Sequence, residues 1–223
     1  MEIPLFPLHT VLCPGIVLPL HIFEERYRRM LADVRASNNL FGLSYFTPDA
    51  AGEERPPEGH VGCATEVVEV QPLPDGRSNI LTLGVVRYRV AEYVERGDPY
   101  LVARVEFFED EGEDAAVVGR RAEEVSELFM RIARAMRTAN AERGALPELP
   151  QDDPERLSFL VAAVVEMDAE TKQRLLETRS TAERLRRLHT MLAQAVTSYE
   201  ERARTHELAR GNGHAGKEID FEE

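Results

Sequence analysis

Pro4-Leu5-Phe6-Pro7-Leu8-His9-Thr10-Val11-Leu12-Cys13-Pro14-Gly15-Ile16-Val17-Leu18-Pro19-Leu20-His21-Ile22-Phe23-Glu24-Glu25-Arg26-Tyr27-Arg28-Arg29 sets four prolines and one glycine between short aliphatic runs, then passes without a polar linker into a helical pattern. Proline fixes φ and removes a backbone donor, so Pro4, Pro7, Pro14 and Pro19 divide the segment into short extended pieces and turns instead of one long strand. Pro14-Gly15 supplies the sharp corner. Backbone geometry is thereby specified almost residue by residue, which marks a scaffold element and not an active site.

After Pro19 the spacing predicts a helix over Ile22 to Arg35. Phe23, Tyr27, Met30, Leu31 and Val34 recur at helical intervals and share one face, as an amphipathic helix covering a sheet requires. Glu24 and Glu25 stand four residues before Arg28 and Arg29, the favourable orientation for exposed ion pairs.

The same stretch resembles the opening of the amino-terminal, substrate-binding domain of ATP-dependent Lon proteases, and especially the bacterial proteins that carry that domain alone. Further matches follow in the family's order: Phe41-Gly42, Val61-Gly62-Cys63-Ala64, Gly84-Val85-Val86-Arg87-Tyr88-Arg89-Val90, Lys172 to Glu177, and Arg184-Leu185. An ordered set of motifs spanning residues 3 to 203 is more specific than any one of them. Cys13 and Glu25 depart from the family's usual aromatic or aliphatic residue and proline. The resemblance implies an α+β fold: a PUA-like pseudo-barrel of mostly antiparallel strands with one embedded helix, followed by a C-terminal helical bundle. It implies signature residues of mainly structural role: Pro14, Gly15, Pro19, Leu20, His21, Phe23, Glu24, Arg26, Tyr27, Gly84 and Arg87. It also implies recognition of client polypeptides through exposed hydrophobic segments, without catalysis or cofactor. Phe23 and Tyr27, near the sheet edge, are the candidate client-binding residues, against a competing role in the core.

Composition is consistent with this. The 223 residues suffice for a proper core, and 43% hydrophobic with 30% charged residues describes an ordinary soluble protein. Cys13 and Cys63 have neither CxxC spacing nor clustered histidines beside them and read as reduced, small apolar residues. Met1-Glu2-Ile3-Pro4 lacks the pattern of a secretory signal and no run approaches the ~20 apolar residues of a membrane span, so no membrane association and a cytoplasmic location are expected. The formal net charge is -13, with both halves acidic. Phosphate contacts need clustered lysine and arginine, so nucleic acid is not the expected ligand.

Along the chain, Asn39 to Phe46 reads as a strand. Thr47 to His60, rich in proline, glycine and charge, reads as a solvated, mobile loop. Val61 to Gln71 and Arg77 to Leu83 form a hairpin about Asp75-Gly76. Gly84 marks a bulge or a close backbone approach. Beyond it Val86, Tyr88 and Val90 face one way, and Arg87 and Arg89 face the other, where pairing with Glu66 or Glu69 on an exposed sheet face is expected ahead of an anion site. Tyr100 to Phe107 is a further strand. The acidic break Glu109 to Asp114 divides a sheet domain (1–110) from a helical part (111–203).

In the helical part, Val118, Ala122, Val125, Phe129, Ile132, Met136 and Ala139 form a stripe whose small residues favour packing within the chain over a coiled coil. Asp152-Asp153-Pro154-Glu155, Asp168 and the capping box Ser180-Thr181-Ala182-Glu183 each start a helix. Leu157, Leu160, Val161 and Val164 follow the first, Leu175 and Leu176 the second, and Leu185, Leu188, Leu192, Ala195 and Tyr199 the third. Residues 204–223 read as a disordered tail.

A search for chemistry finds little. Gly211 to Lys217 has P-loop spacing, but Glu218 stands where serine or threonine would hold magnesium, and the segment follows a helix instead of a strand. The six histidines, His9, His21, His60, His189, His206 and His214, have no ligand spacing. No nucleophile motif accompanies His21. No catalytic, cofactor or metal residue is therefore assigned. The expected partners are client polypeptides, with a separate protease or chaperone as a further partner. The rival readings are a PUA-like RNA-binding protein and an adaptor for a separate protease.

Overall fold

The computed structural model describes residues 1–47, 55–140 and 145–212. Six strands, β1 (Glu2–Leu8), β2 (Val17–Ile22), β3 (Leu40–Tyr45), β4 (Val61–Pro72), β5 (Ser78–Tyr93) and β6 (Leu101–Phe108), form one sheet in the order β2-β5-β4-β3-β1-β6. Because β6 pairs with β5 as well as β1, five strands close into a ring and β2 lies outside it on β5. Only β1 and β3 run parallel. This is the mixed α+β pseudo-barrel that the family resemblance implies.

The opening stretch earns its prolines here. Gly15 turns the corner at φ +76°, where an L side chain would be strained. Its N–H donates to the Gly84 carbonyl at 2.8 Å, and the Gly84 N–H donates to the Ile16 carbonyl at 2.9 Å. At the same point the β4–β5 register skips Val85, a bulge that bends the long strand from its β2 partner toward its β6 partner. A Cβ on Gly84 would lie 2.3 Å from the Cys13 carbonyl oxygen. Gly84 is therefore both bulge and close approach.

Helix α1 (Glu25–Arg35) closes one end of the ring. Its Tyr27, Met30, Leu31 and Val34 pack on Phe6, Ile22, Phe41, Val67 and Ile80. The helix begins later than its periodicity suggests, because β2 remains paired through Ile22 opposite Ser78 and holds the chain extended. Phe23 thus precedes the helix, 59% exposed, and does not belong to its apolar face. The ion pairs also differ from the expected ones: Arg29 binds Asp33 at 3.0 Å and Arg26 binds Glu24 at 2.8 Å.

Helices α2 (Ala115–Ala139), α3 (Pro154–Val164), α4 (Ala169–Glu177) and α5 (Thr181–Asn212) make the helical part. Asp114, Asp153 and Asp168 cap α2, α3 and α4 through their side chains, and Ser180 accepts from the Glu183 N–H at 3.0 Å. Val118, Ala122, Val125, Phe129 and Ile132 face Leu157, Val161, Leu185, Leu188 and Leu192 in one core. The α2 stripe then continues through buried Ala135, leaving Met136 44% exposed, and Val164 at the end of α3 is 63% exposed. Helix α5 runs past Arg204 to Asn212, where disorder was expected, because the helical pattern carries Ala203 into a buried position and continues beyond it. The rest of that tail, with Lys217, and residues 48–54 of the presumed mobile loop lie outside the described residues.

Candidate functional site

The signature residues gather around β2 and its corner, but they do not form one surface. Pro14 and Leu20 are half-buried, and Gly15, Pro19, His21, Phe23 and Arg26 are exposed. Glu24 sits at the start of α1 without a side-chain cap. Of the two candidate client-binding residues, Tyr27 is buried against Phe6, ring centroids 4.1 Å apart. Phe23 faces solvent and stacks on His21 at 6.0 Å. The structure does not bring them onto a common face.

Arg87 is the largest departure. Expected on an exposed sheet face beside Glu66 or Glu69, it is 1% exposed and lies where the sheet meets the helices. Its Nη1 donates to the Leu176 and Thr178 carbonyls at 3.0 and 2.8 Å, and its Nη2 donates to Asp110. Fully buried Arg184 approaches the same carboxylate, with Nη1 3.2 Å from Oδ1 and Nη2 2.5 Å from Oδ2, and its Nε donates to Ser158 Oγ at 2.7 Å. Phe159 covers both guanidinium groups, 3.9 Å from Arg184 and 5.2 Å from Arg87. Burial alone would raise the Asp110 carboxyl; its bonds to Arg184 and Thr181 and the charges of Arg184 and Arg87 outweigh this and hold it below the ordinary carboxylate value. Burial pulls Arg87 down, with Asp110 opposing. Arg89, by contrast, is exposed and donates to the Gly59 carbonyl at 2.9 Å. The missed signal was Arg184, four and eight residues before Leu188 and Leu192, and so on the buried stripe of α5.

Among the described residues, no group of three or more His, Cys, Asp or Glu side chains is arranged to hold a metal ion. Burial pushes the Cys13 thiol up to about 11 and raises that of Cys63; both are free. No described helix is long and apolar enough to cross a membrane.

Among the described residues, two accessible apolar features stand out. The first is a groove of about 540 Å³ between α2, α5 and the segment after α3, with Phe129, Ile132, Met136, Met167, Met191 and Tyr199 among its walls. Methionine is flexible and polarizable, so such walls adapt to side chains of different shape. The second is the outer face of β2 and β5, where Val17 is 52% and Val85 47% exposed.

Solved structures share this architecture. The N-terminal domain of a Mycobacterium avium complex Lon protease superposes with TM-score 0.66 at 18% identity, over 86% of this chain and 98% of that one. A Lon N-terminal domain protein from Xanthomonas campestris gives 0.62 at 21% identity, over 84% and 96%. The fold is therefore that of Lon N-terminal domains. In sequence, residues 2–194 match the ATP-dependent protease La (LON) substrate-binding domain, and the chain belongs to that family. Lon protease 2 of Herpetosiphon aurantiacus is 26% identical over 198 residues, 88% of this chain and 24% of the relative. The Lon protease of Anaeromyxobacter dehalogenans is 30% identical over 181 residues, 79% and 21% respectively. The chain spans about a quarter of the length of the curated relatives it matches.

Proposed function

We propose that this chain recognises exposed hydrophobic segments of client polypeptides and performs no chemistry on them. The observation that carries this reading is the methionine-walled groove of about 540 Å³ beside α2 and α5. Apolar side chains of an unfolded client would leave water there, each buried methylene contributing about 0.8 kcal/mol. A folded protein keeps such side chains in its own core and offers the groove little. Membership of a substrate-binding domain family supports the same reading.

The test compares fluorescence anisotropy titrations of a reduced, carbamidomethylated globular protein and its native form. The unfolded form is expected to bind and the native form not. Met136→Asp, placed on the exposed groove wall, is expected to weaken binding about tenfold by burying a charge where the client's apolar groups would sit. Equal binding of the two forms, or unchanged binding by the variant, overturns the reading.

A further inference from the structure

The β2–β5–β4 part of the sheet turns its inner face to α1 and leaves its outer face open. Strand register sets that outer face in three rows. At one end His21, Asn79 and Gln71 lie abreast. They are joined by His21 Nδ1 to Asn79 Oδ1 at 2.7 Å and by Asn79 Nδ2 donating to Gln71 Oε1 at 3.4 Å. The next row is Pro19, Leu81 and Glu69, and the third is Val17, Leu83 and Glu66.

Down the strands, these rows make columns. β2 and β5 contribute adjoining aliphatic columns, and Leu81 and Leu83 join none of the core clusters. Phe23, stacked on His21, extends the apolar strip at its polar end. β4 contributes an acidic column about 5 Å to one side of the leucines, the spacing of neighbouring strands. Both Glu66 and Glu69 are exposed, and neither side chain takes part in an ion pair or hydrogen bond among the described residues. Other exposed carboxylates at or beside this sheet do hold partners, as in Glu92 with Arg104 and, in the β4–β5 turn, Asp75 with Arg77. Two unpaired carboxylates edging an uncovered aliphatic strip favour a partner that brings both apolar and cationic groups.

The geometry points to this face as a docking surface for polypeptide segments that carry lysine or arginine beside aliphatic side chains. This inference rests on the client-recognition reading and narrows it to basic, aliphatic clients. The aliphatic side chains cover Leu81, Leu83, Val17 and Pro19, and the cationic ones reach sideways to Glu66 and Glu69. Nucleic acid does not fit, because phosphates would meet the acidic column.

Two labelled peptides of identical leucine content test it, one with lysine and the other with glutamate at the intervening positions. At low salt the lysine peptide is expected to bind about fivefold more tightly, the scale of two exposed charge pairs. That preference is expected to fade as salt is raised. Glu66→Lys with Glu69→Lys should reverse it. Glu123→Lys with Glu124→Lys changes the net charge equally at exposed sites on α2 and should preserve it.

If both double variants lower the preference alike, the overall field of the protein is responsible and the inference fails. It fails equally if Glu66→Lys with Glu69→Lys changes nothing, or if that variant dissociates a solution dimer, which would make a second copy the occupant. Binding of the reduced, carbamidomethylated protein in the preceding test separates the outcomes: its absence sinks client recognition itself, whereas its presence with an unmoved peptide preference sinks only this surface.

Discussion

Replacing Asp110 with asparagine keeps the shape of the side chain and one carbonyl acceptor but removes the carboxylate that touches both Arg87 and Arg184. Those guanidinium groups are 1% and 0% exposed and their partner 6%, so water cannot take over the lost interaction. Removing one member of a buried ion pair leaves an uncompensated charge and costs about 3–5 kcal/mol. For a chain of this length that corresponds to a fall in Tm of roughly 10 °C, read by circular dichroism. The contribution has a pH signature. Asp110 titrates below its ordinary value in the folded protein, so its stabilisation is complete above the unfolded carboxylate pKa, about 3.9, and disappears as pH falls through the lower folded value. The advantage of the wild type over Asp110→Asn should shrink in that acid window and nowhere above it. Replacing all three residues together, Arg87→Met, Asp110→Leu and Arg184→Met, should cost less than Asp110→Asn alone, since no buried charge is then left unpaired. A loss below about 1 kcal/mol for Asp110→Asn would refute the reasoning and leave the carbonyls of Leu176 and Thr178 and the Phe159 ring as sufficient compensation.

Two further outcomes follow from the scaffold. Gly84→Val should destabilise by about 1–3 kcal/mol, because its Cβ would enter within 2.3 Å of the Cys13 carbonyl oxygen; thermal unfolding indistinguishable from wild type would contradict this. Cys13 and Cys63 are buried, with thiols raised above the ordinary value. At about pH 8 a thiol reagent should leave both unmodified in the native protein and modify both in denaturant. Prompt labelling of either in the native state would show that the corner opens without global unfolding.

The features legible in the sequence are those that act through their own backbone. Pro14-Gly15 and Gly84 are constrained whatever lies opposite, and their pairing in space simply satisfies needs each already had. The same holds for Asp153, Asp168 and Ser180, whose side chains reach N–H groups three residues on. Phe23 was misread because the end of β2 is decided by Ser78, a partner far along the chain. Arg87 failed for a related reason. Alternation says which residues share a face but not which face is covered, and its cover comes from carbonyls 89 and 91 residues later. The acidic run containing Asp110 has the composition of a linker, and only the two buried arginines distinguish that one carboxylate from its neighbours.

That joint also bears on how weak contacts would add up. Arg87 belongs to β5, Asp110 to the connection after β6, and Arg184 to α5, so the triad fixes the sheet against the helices. Gln173 Nε2 donating to the Val61 carbonyl at 2.8 Å, and Tyr45 Oη donating to Glu170 at 3.0 Å, tie α4 to the same sheet. On the proposed reading, the groove and the acidic-edged sheet face are then held on one rigid frame. A client that reaches both meets the second at the high effective concentration set by the first. A flexible hinge would spread that second site over many positions and dilute it. Burying two arginines on one aspartate is a poor way to gain stability, since apolar replacements of similar size often do as well or better. As a way to fix the relation between two binding surfaces, the arrangement has a rationale that stability alone does not supply.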